Sequence, residues 1–252
     1  MDNKRNIVLL VEGEKAEVKL FERIIECFPE IKLTKDDILV YNTNLWVLNQ
    51  ELSELFGNDW YLSDELDFRD FLVSKFPEVK HKKITDLFLV FDYERQDMKF
   101  NPDVLVNLCK FFNDSVENGL LYINYPMIES YKHISVATLP DQGFKDRRCD
   151  VSDIRNYKAT VGKESKHQDL RKFNRELFQQ VIRQNIQKIS YIIGNDYDLS
   201  EDELMEFCEN IDLVDVAVKQ NCYSSLPSSF VYVLCTCVLF VSNYNRRLIT
   251  DL

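Results

Sequence analysis

The stretch IVLLVEGEKAEVKLF, residues 7–21, runs through five apolar residues and then breaks at Glu12-Gly13-Glu14, with a further acid at Glu17. A continuous, β-rich apolar run of this length reads as a strand buried on both faces, here residues 6–11. Apolar side chains then fall at Val18, Leu20, Phe21, Ile24 and Ile25, the spacing of an amphipathic helix over 15–27. A strand-to-helix turn needs a glycine and one capping residue. It does not need three carboxylates, so the stretch is either a solvated acidic turn or half of a cation site.

The same alternation continues along the chain. DILVY (37–41), DLFLVF (86–91) and LLYIN (120–124) read as further strands. Helices are expected from Thr43 to Phe56, stopped by Gly57, and from a Ser63-Asp64-Glu65 cap to Phe76, ended by Pro77. Another is expected from Pro102 to about Phe112. Strands alternating with amphipathic helices predict an α/β fold with a mostly parallel sheet flanked by helices, over residues 1–133. Residues 134–252 read as a helical extension. It holds a long helical stretch from Leu170 to Ile193, a helix capped near Ser200 and an apolar closing helix from about Pro227 to Leu248.

Composition narrows the class. The 252 residues are 45% hydrophobic and 29% charged, with a formal net charge of −11. That disfavours a general DNA-coating protein, although not a local basic face. Seven cysteines with no C-x-x-C pair argue for free thiols and a reducing compartment. The MDNKRN start lacks a signal-peptide core, and Phe230–Val241 is too short for a membrane span. The expectation is a cytoplasmic protein with no membrane partner.

Ligands of open α/β sheets bind beyond the carboxyl ends of the strands. Glu12 follows the first strand, Asp92 and Glu94 the third, and Glu129 the fourth. If the strands are parallel, these acids share one edge, and such a cluster repels itself unless a cation is present. Oxygen ligands suit Mg²⁺ or Mn²⁺. Asp92 and Glu94 are two apart, so in extended chain they face the same side. The alternative for each acid is a turn or helix-cap residue.

LLVEGEKAEVKLF followed by LFLVFDYE resembles the Toprim domain of topoisomerases, primases and overcoming-lysogenization-defect (OLD) nucleases. With NYPMIES (124–130) added, it is similar to the small RloB-type Toprim proteins of bacterial phage defence. The likeness covers about the first half of the chain. It departs from the pattern at Glu94, where an aspartate is usual, and at Tyr125, inserted between Asn124 and Pro126. The resemblance implies that Glu12 binds metal or moves a proton, that Asp92 and Glu94 bind metal, and that Glu129 supplies the acid of the third segment. Glu17 stands between a site residue and an exposed residue of the first helix.

The chain is too short to add a topoisomerase's tyrosine domain and gate, and its cysteines do not supply a primase's zinc segment. Hydrolysis needs only metal, water and a positioned phosphodiester. A metal-dependent endonuclease acting on DNA or RNA, including tRNA, is therefore expected. By the same resemblance it is the toxic effector of an anti-phage abortive-infection system. Residues 145–190 hold twelve Lys/Arg against six Asp/Glu; taking this +6 from the chain's −11 leaves −17 elsewhere. Lys163, Lys166, Arg171, Lys172 and Arg175 are the candidate phosphate contacts; a solvated helix face paired with local acids is the alternative. VGKES (161–165) is not a Walker loop, so any nucleotide hydrolysis belongs to an ATPase partner. The rival reading is a non-catalytic subunit docking on an ATPase sensor. Neither reading requires or excludes a homo-oligomer.

Overall fold

The computed structural model of the chain describes residues 5–63, 66–134 and 142–250. Its centre is a five-stranded sheet built from β1 (Ile7–Val11), β2 (Ile38–Val40), β3 (Asp86–Asp92), β4 (Asn113–Asp114) and β5 (Gly119–Asn124). The order is β2-β1-β3-β5-β4. All pairs are parallel except β4 with β5. The expected α/β class and parallel sheet are present. Within this sheet, only the two-residue antiparallel edge β4 was not expected from the sequence. The crossovers carry α1 (Ala16–Cys27), α2 (Leu45–Phe56), α3 (Phe68–Lys75) and α4 (Pro102–Phe111).

The strands are fully apolar because both faces are covered. Leu9, Leu10, Val11, Leu89 and Val90 have no exposed surface. Helix ends follow local chemistry. The Asn44 side chain caps α2 through the Trp46 and Val47 N–H groups, and Gly57 ends it at φ +89°. The cap of α3 is Asp67, which accepts from the Arg69 N–H. It replaces the expected Ser63 cap, whose Asp64 and Glu65 lie outside the described residues.

The second half contains α5 (Gln142–Lys145), β6 (Arg148–Asp150), α6 (Tyr157–Glu164), α7 (Arg175–Ile193), α8 (Glu201–Glu209), α9 (Leu213–Ser224), β7 (Phe230–Tyr232) and α10 (Phe240–Tyr244). Ser200 caps α8 in a capping box with Glu203, as its position suggested. The stretch from Leu170 is a single 3₁₀ turn before α7 begins at Arg175. The closing helix over 227–248 is not formed. Instead β7 pairs antiparallel with β6, Tyr125 and Leu234 form a bridge, and two 3₁₀ turns flank the five-residue α10. The physical reason is that this run completes another strand's bonding. Thr236 Oγ1 donates to Ile123 O, and the Cys237 N–H donates to Asn124 Oδ1. A continuous apolar run has no period with which to tell strand from helix.

No helix among the described residues is long and apolar enough to cross a membrane. One continuous core joins the sheet to the C-terminal elements, from Leu9 and Phe21 to Ile186 and Phe240. Gly119 opens β5 at φ +116°, and a Cβ there would stand 2.6 Å from Leu89 Cδ1 and 3.2 Å from Leu87 Cδ2. Gly119→Ala should therefore destabilise the fold by about 2–4 kcal/mol through left-handed backbone strain and overpacking. Urea denaturation checks this by a lower midpoint at unchanged slope.

Candidate functional site

The register of β1 and β3 decides where the acids meet. Val11 pairs with Val90, and the Glu12 N–H continues the ladder to Val90 O at 3.1 Å. β3 runs two residues further and pairs Asp92 with Asn124 of β5. The Asp92 N–H faces the β1 side, where no strand carbonyl remains. Glu12 Oε2 accepts its bond at 3.0 Å. The carboxylate of the first strand is thereby tied to the end of the third.

Glu17 joins them from the first turn of α1. It is only 6% exposed and accepts a bond from its own backbone N–H. A Cβ on Gly13 would sit 3.1 Å from Glu17 Oε2, so glycine leaves the space into which this carboxylate folds back. Glu129 arrives from the 3₁₀ turn Ile128–Lys132, which packs against α1, and is equally buried. Glu94 lies just past β3 at φ +46°, with its carboxylate accepting from Gln96 Nε2 at 2.6 Å. The chain has left the extended conformation there, so Asp92 and Glu94 are not held to one side by a period of two, as the sequence had suggested. Tyr93 between them is buried, with its hydroxyl 2.9 Å from both Asn221 Oδ1 and Ser224 Oγ of α9.

The electrostatics record the convergence. Burial holds the Asp92 carboxyl well above the usual range, and Glu12, Glu17, Glu129 and Glu94 all push it the same way. Burial, followed by repulsion from Glu94 and Glu17, pushes Glu12 up to about 8 against the bond from the Asp92 N–H. Burial also raises Glu17, with Glu129 adding to it, and raises Glu94, with Asp97 adding to it. The four acids named from the sequence, Glu12, Asp92, Glu94 and Glu129, thus share one edge of the sheet with Glu17.

A cation enters the cluster from α6. Lys158 of α6 places Nζ 2.5 Å from Glu129 Oε1, although 71% of its side chain is exposed. Its position follows from His133, whose ring is buried against α6. Nδ1 lies 2.9 Å from Tyr157 Oη and Nε2 lies 2.8 Å from Glu164 Oε2. His133 therefore positions α6, and burial lowers its pKa. The sequence signal for Lys158 was only its membership in the basic segment. For Glu17 it was the EGEKAE repeat of acids.

The donor set suits a hard divalent cation. Asp92 Oδ1 is buried with no hydrogen-bond partner, as is Asn124 Nδ2 beside it in the register. An isolated buried carboxylate oxygen is costly unless protonated or paired with a cation. Among the described residues, no group of three or more His, Cys, Asp or Glu is placed to hold a metal as the side chains stand. Glu12, Glu94 and Glu129 are each turned to another donor, namely the Asp92 N–H, Gln96 and Lys158.

The basic segment divides into two kinds of cation. Arg171 makes a bidentate pair with Asp169. Arg175 pairs with Glu30 and lies over the Phe28 ring. Arg183 pairs with Glu201, and buried Lys188 donates to the Phe144 and Arg147 carbonyls. Lys163, Lys166 and Lys172 are exposed. Arg23 of α1 pins the intervening turn through the carbonyls of Arg171 and Phe173. His167 and Phe173 pack on each other, and Phe173 is core.

No family model, curated protein or solved structure matches the chain.

The raised carboxyls give a signed pH dependence. Glu12 holds its proton in the folded state up to about 8, whereas the unfolded chain releases it near 4.5. The folded state binds more protons between these values, so without divalent ions stability is greatest below the lower value. It falls as pH rises toward the upper one. Melting scans from pH 5 to 8.5 should show this decline for the wild type. Glu12→Gln should make it shallower, the raised Asp92, Glu17 and Glu94 keeping part of it, and should melt at or above the wild type at pH 8. A variant melting well below the wild type at every pH would instead make Glu12 a structural turn residue.

Proposed function

We propose that this chain is a metal-dependent endonuclease of Toprim type. The observation that carries the reading is the convergence of five carboxylates on one sheet edge, with a buried Asp92 oxygen left unpartnered. Glu12, Asp92 and Glu94 would hold Mg²⁺ or Mn²⁺, with Glu129 beside them. A bound divalent ion neutralises charge on phosphate oxygens and acidifies water.

The chain's own groups supply the rest. Glu12 Oε2 is anchored by the Asp92 N–H, which leaves Oε1 as the atom that can accept or return a proton. Glu129 serves as the second acid, and its pairing with Lys158 keeps a mobile ammonium at the cluster's edge. Once a ligand competes for Glu129, that ammonium is free to face a phosphate oxygen. Lys163, Lys166 and Lys172 are the exposed cations fit to track a nucleic-acid backbone, DNA or RNA including tRNA. The resemblance to RloB-type proteins supports a role as the toxic effector of an anti-phage abortive-infection system with an ATPase partner.

A second reading, a non-catalytic subunit docking on an ATPase sensor, rests on one observation. Glu12, Glu94 and Glu129 are engaged with other donors, and among the described residues no three acids stand preassembled for a metal. Glu12→Gln separates the two. In a nuclease it should lower Mg²⁺- or Mn²⁺-dependent cleavage of a DNA and RNA panel by roughly 10²-fold or more. A docking subunit cleaves nothing before or after the change, and keeps its partner.

The segment 163–172 generates its own expectation. Lys163→Gln/Lys166→Gln/Lys172→Gln should weaken nucleic-acid binding and reduce the slope of log affinity against log salt by about 2, as fewer counterions are released. Arg175→Gln should act mainly on stability, because its guanidinium already holds Glu30. Filter binding across a salt series, beside thermal melts, distinguishes these effects.

A further inference from the structure

The parallel order β2-β1-β3 that gathers acids at the carboxyl ends also gathers the segments entering these strands at the amino ends. Arg5 precedes β1, Lys32 precedes β2, and His81, Lys82 and Lys83 precede β3. These side chains line one open cleft of about 620 Å³. Among the described residues, the only acid in its lining is Asp37, which is used by Lys82: Nζ lies 2.7 Å from Asp37 Oδ1 and 2.7 Å from the Asp36 carbonyl. Arg5 gives one N–H to Tyr244 O at 2.9 Å and rests over that ring. Lys32, His81 and Lys83 are exposed and have no side-chain partner among the described residues.

Among the described residues, three formal positive charges are therefore left in excess in one concavity of a chain whose net charge is −11. They do not serve the acid cluster. β1 is five residues long and separates the two ends by roughly 17 Å, about two screening lengths at physiological salt. Like charges brought together from three separate connections repel unless an anion lies between them. The arrangement is a concavity of small-ligand size rather than a stripe along the surface, which favours a compact anion over an extended strand.

We propose that this cleft binds a free oligophosphate, either inorganic or the phosphate tail of a nucleotide. Lys32 and Lys83 act as point charges, and Arg5 offers the remaining N–H groups of its fork. The site stands apart from the carboxylates and does not depend on the nuclease reading.

Calorimetric titration of the full chain with sodium tripolyphosphate, in buffer free of divalent ions, tests it. One saturable site is expected. Lys32→Gln/Lys83→Gln should weaken it at least ten-fold, and both side chains are exposed and hold nothing in the fold. Lys110→Gln, an exposed lysine of α4, should leave it unchanged. ATP without metal should compete with tripolyphosphate, which marks the nucleotide source; inorganic triphosphate binding that ATP does not displace marks the inorganic one. Absence of saturable binding, equal affinity in the double variant, or an equal loss in Lys110→Gln would overturn the proposal. So would full displacement by an unphosphorylated single-stranded oligonucleotide, since the cleft would then be part of a nucleic-acid surface.

Discussion

The bond from the Asp92 N–H to Glu12 Oε2 depends on a difference of strand length. β1 ends at Val11, while β3 continues to Asp92. In a parallel pair, alternate N–H groups of β3 face β1, and the last of them would be orphaned where β1 stops. A buried N–H without a partner is costly, and the nearest acceptor is the first polar side chain after the apolar run. Glu12 fills that place, and in doing so brings a carboxylate beside a buried aspartate. A single hydrogen bond thereby satisfies the backbone and creates an electrostatic difficulty.

The surroundings answer that difficulty only in part. Glu17 uses its own N–H and the start of α1, where a negative charge is favoured. Glu129 takes Lys158, and Glu94 takes Gln96. Asp92 has no such partner for Oδ1. Its carboxyl is therefore held toward the protonated form, as expected of a like-charge cluster in a poorly solvated place. Protonation and cation binding relieve the same repulsion, so the two compete for the same oxygens.

What was legible in the sequence tracks how local the cause is. IVLLV and DLFLVF announced strands buried on both faces, and strand ends announced the edge on which Glu12, Asp92, Glu94 and Glu129 gather. Glu17 was ambiguous because helical spacing places it on a polar face. Its burial comes from Gly13 and the turn bearing Glu129, neither of which periodicity reports. α9 had no counterpart in the sequence reading. LVDVAVK alternates like a strand, and the helix follows from the Asp212 cap and from burial at Val216, Ala217, Gln220, Asn221 and Ser224. Lys158 reaches Glu129 because His133 seats α6 through Tyr157, a tertiary relation across 24 residues.

The C-terminal half is more than an appendage to the acidic edge. Asn124 ends β5 beside Asp92, and its Oδ1 is held by the Cys237 N–H and by Cys235 Sγ at 3.5 Å. Ser130, next to Glu129, donates to Leu234 O. Tyr93, between Asp92 and Glu94, is moored to α9. Each acid-bearing segment other than the stretch from Glu12 to Glu17 thus takes a hydrogen bond from, or gives one to, residues beyond 212. The run at 233–237 reaches Ile123, Asn124, Tyr125 and Ser130 together because it is extended at 233–235 and turns into a 3₁₀ turn at Thr236: Leu234 pairs its backbone with Tyr125 and accepts from Ser130, the Thr236 hydroxyl reaches Ile123 O, and the Cys237 N–H reaches Asn124 Oδ1. A helix through the same residues would turn those groups inward on itself. The acidic edge and the absence of the expected closing helix therefore have the same cause.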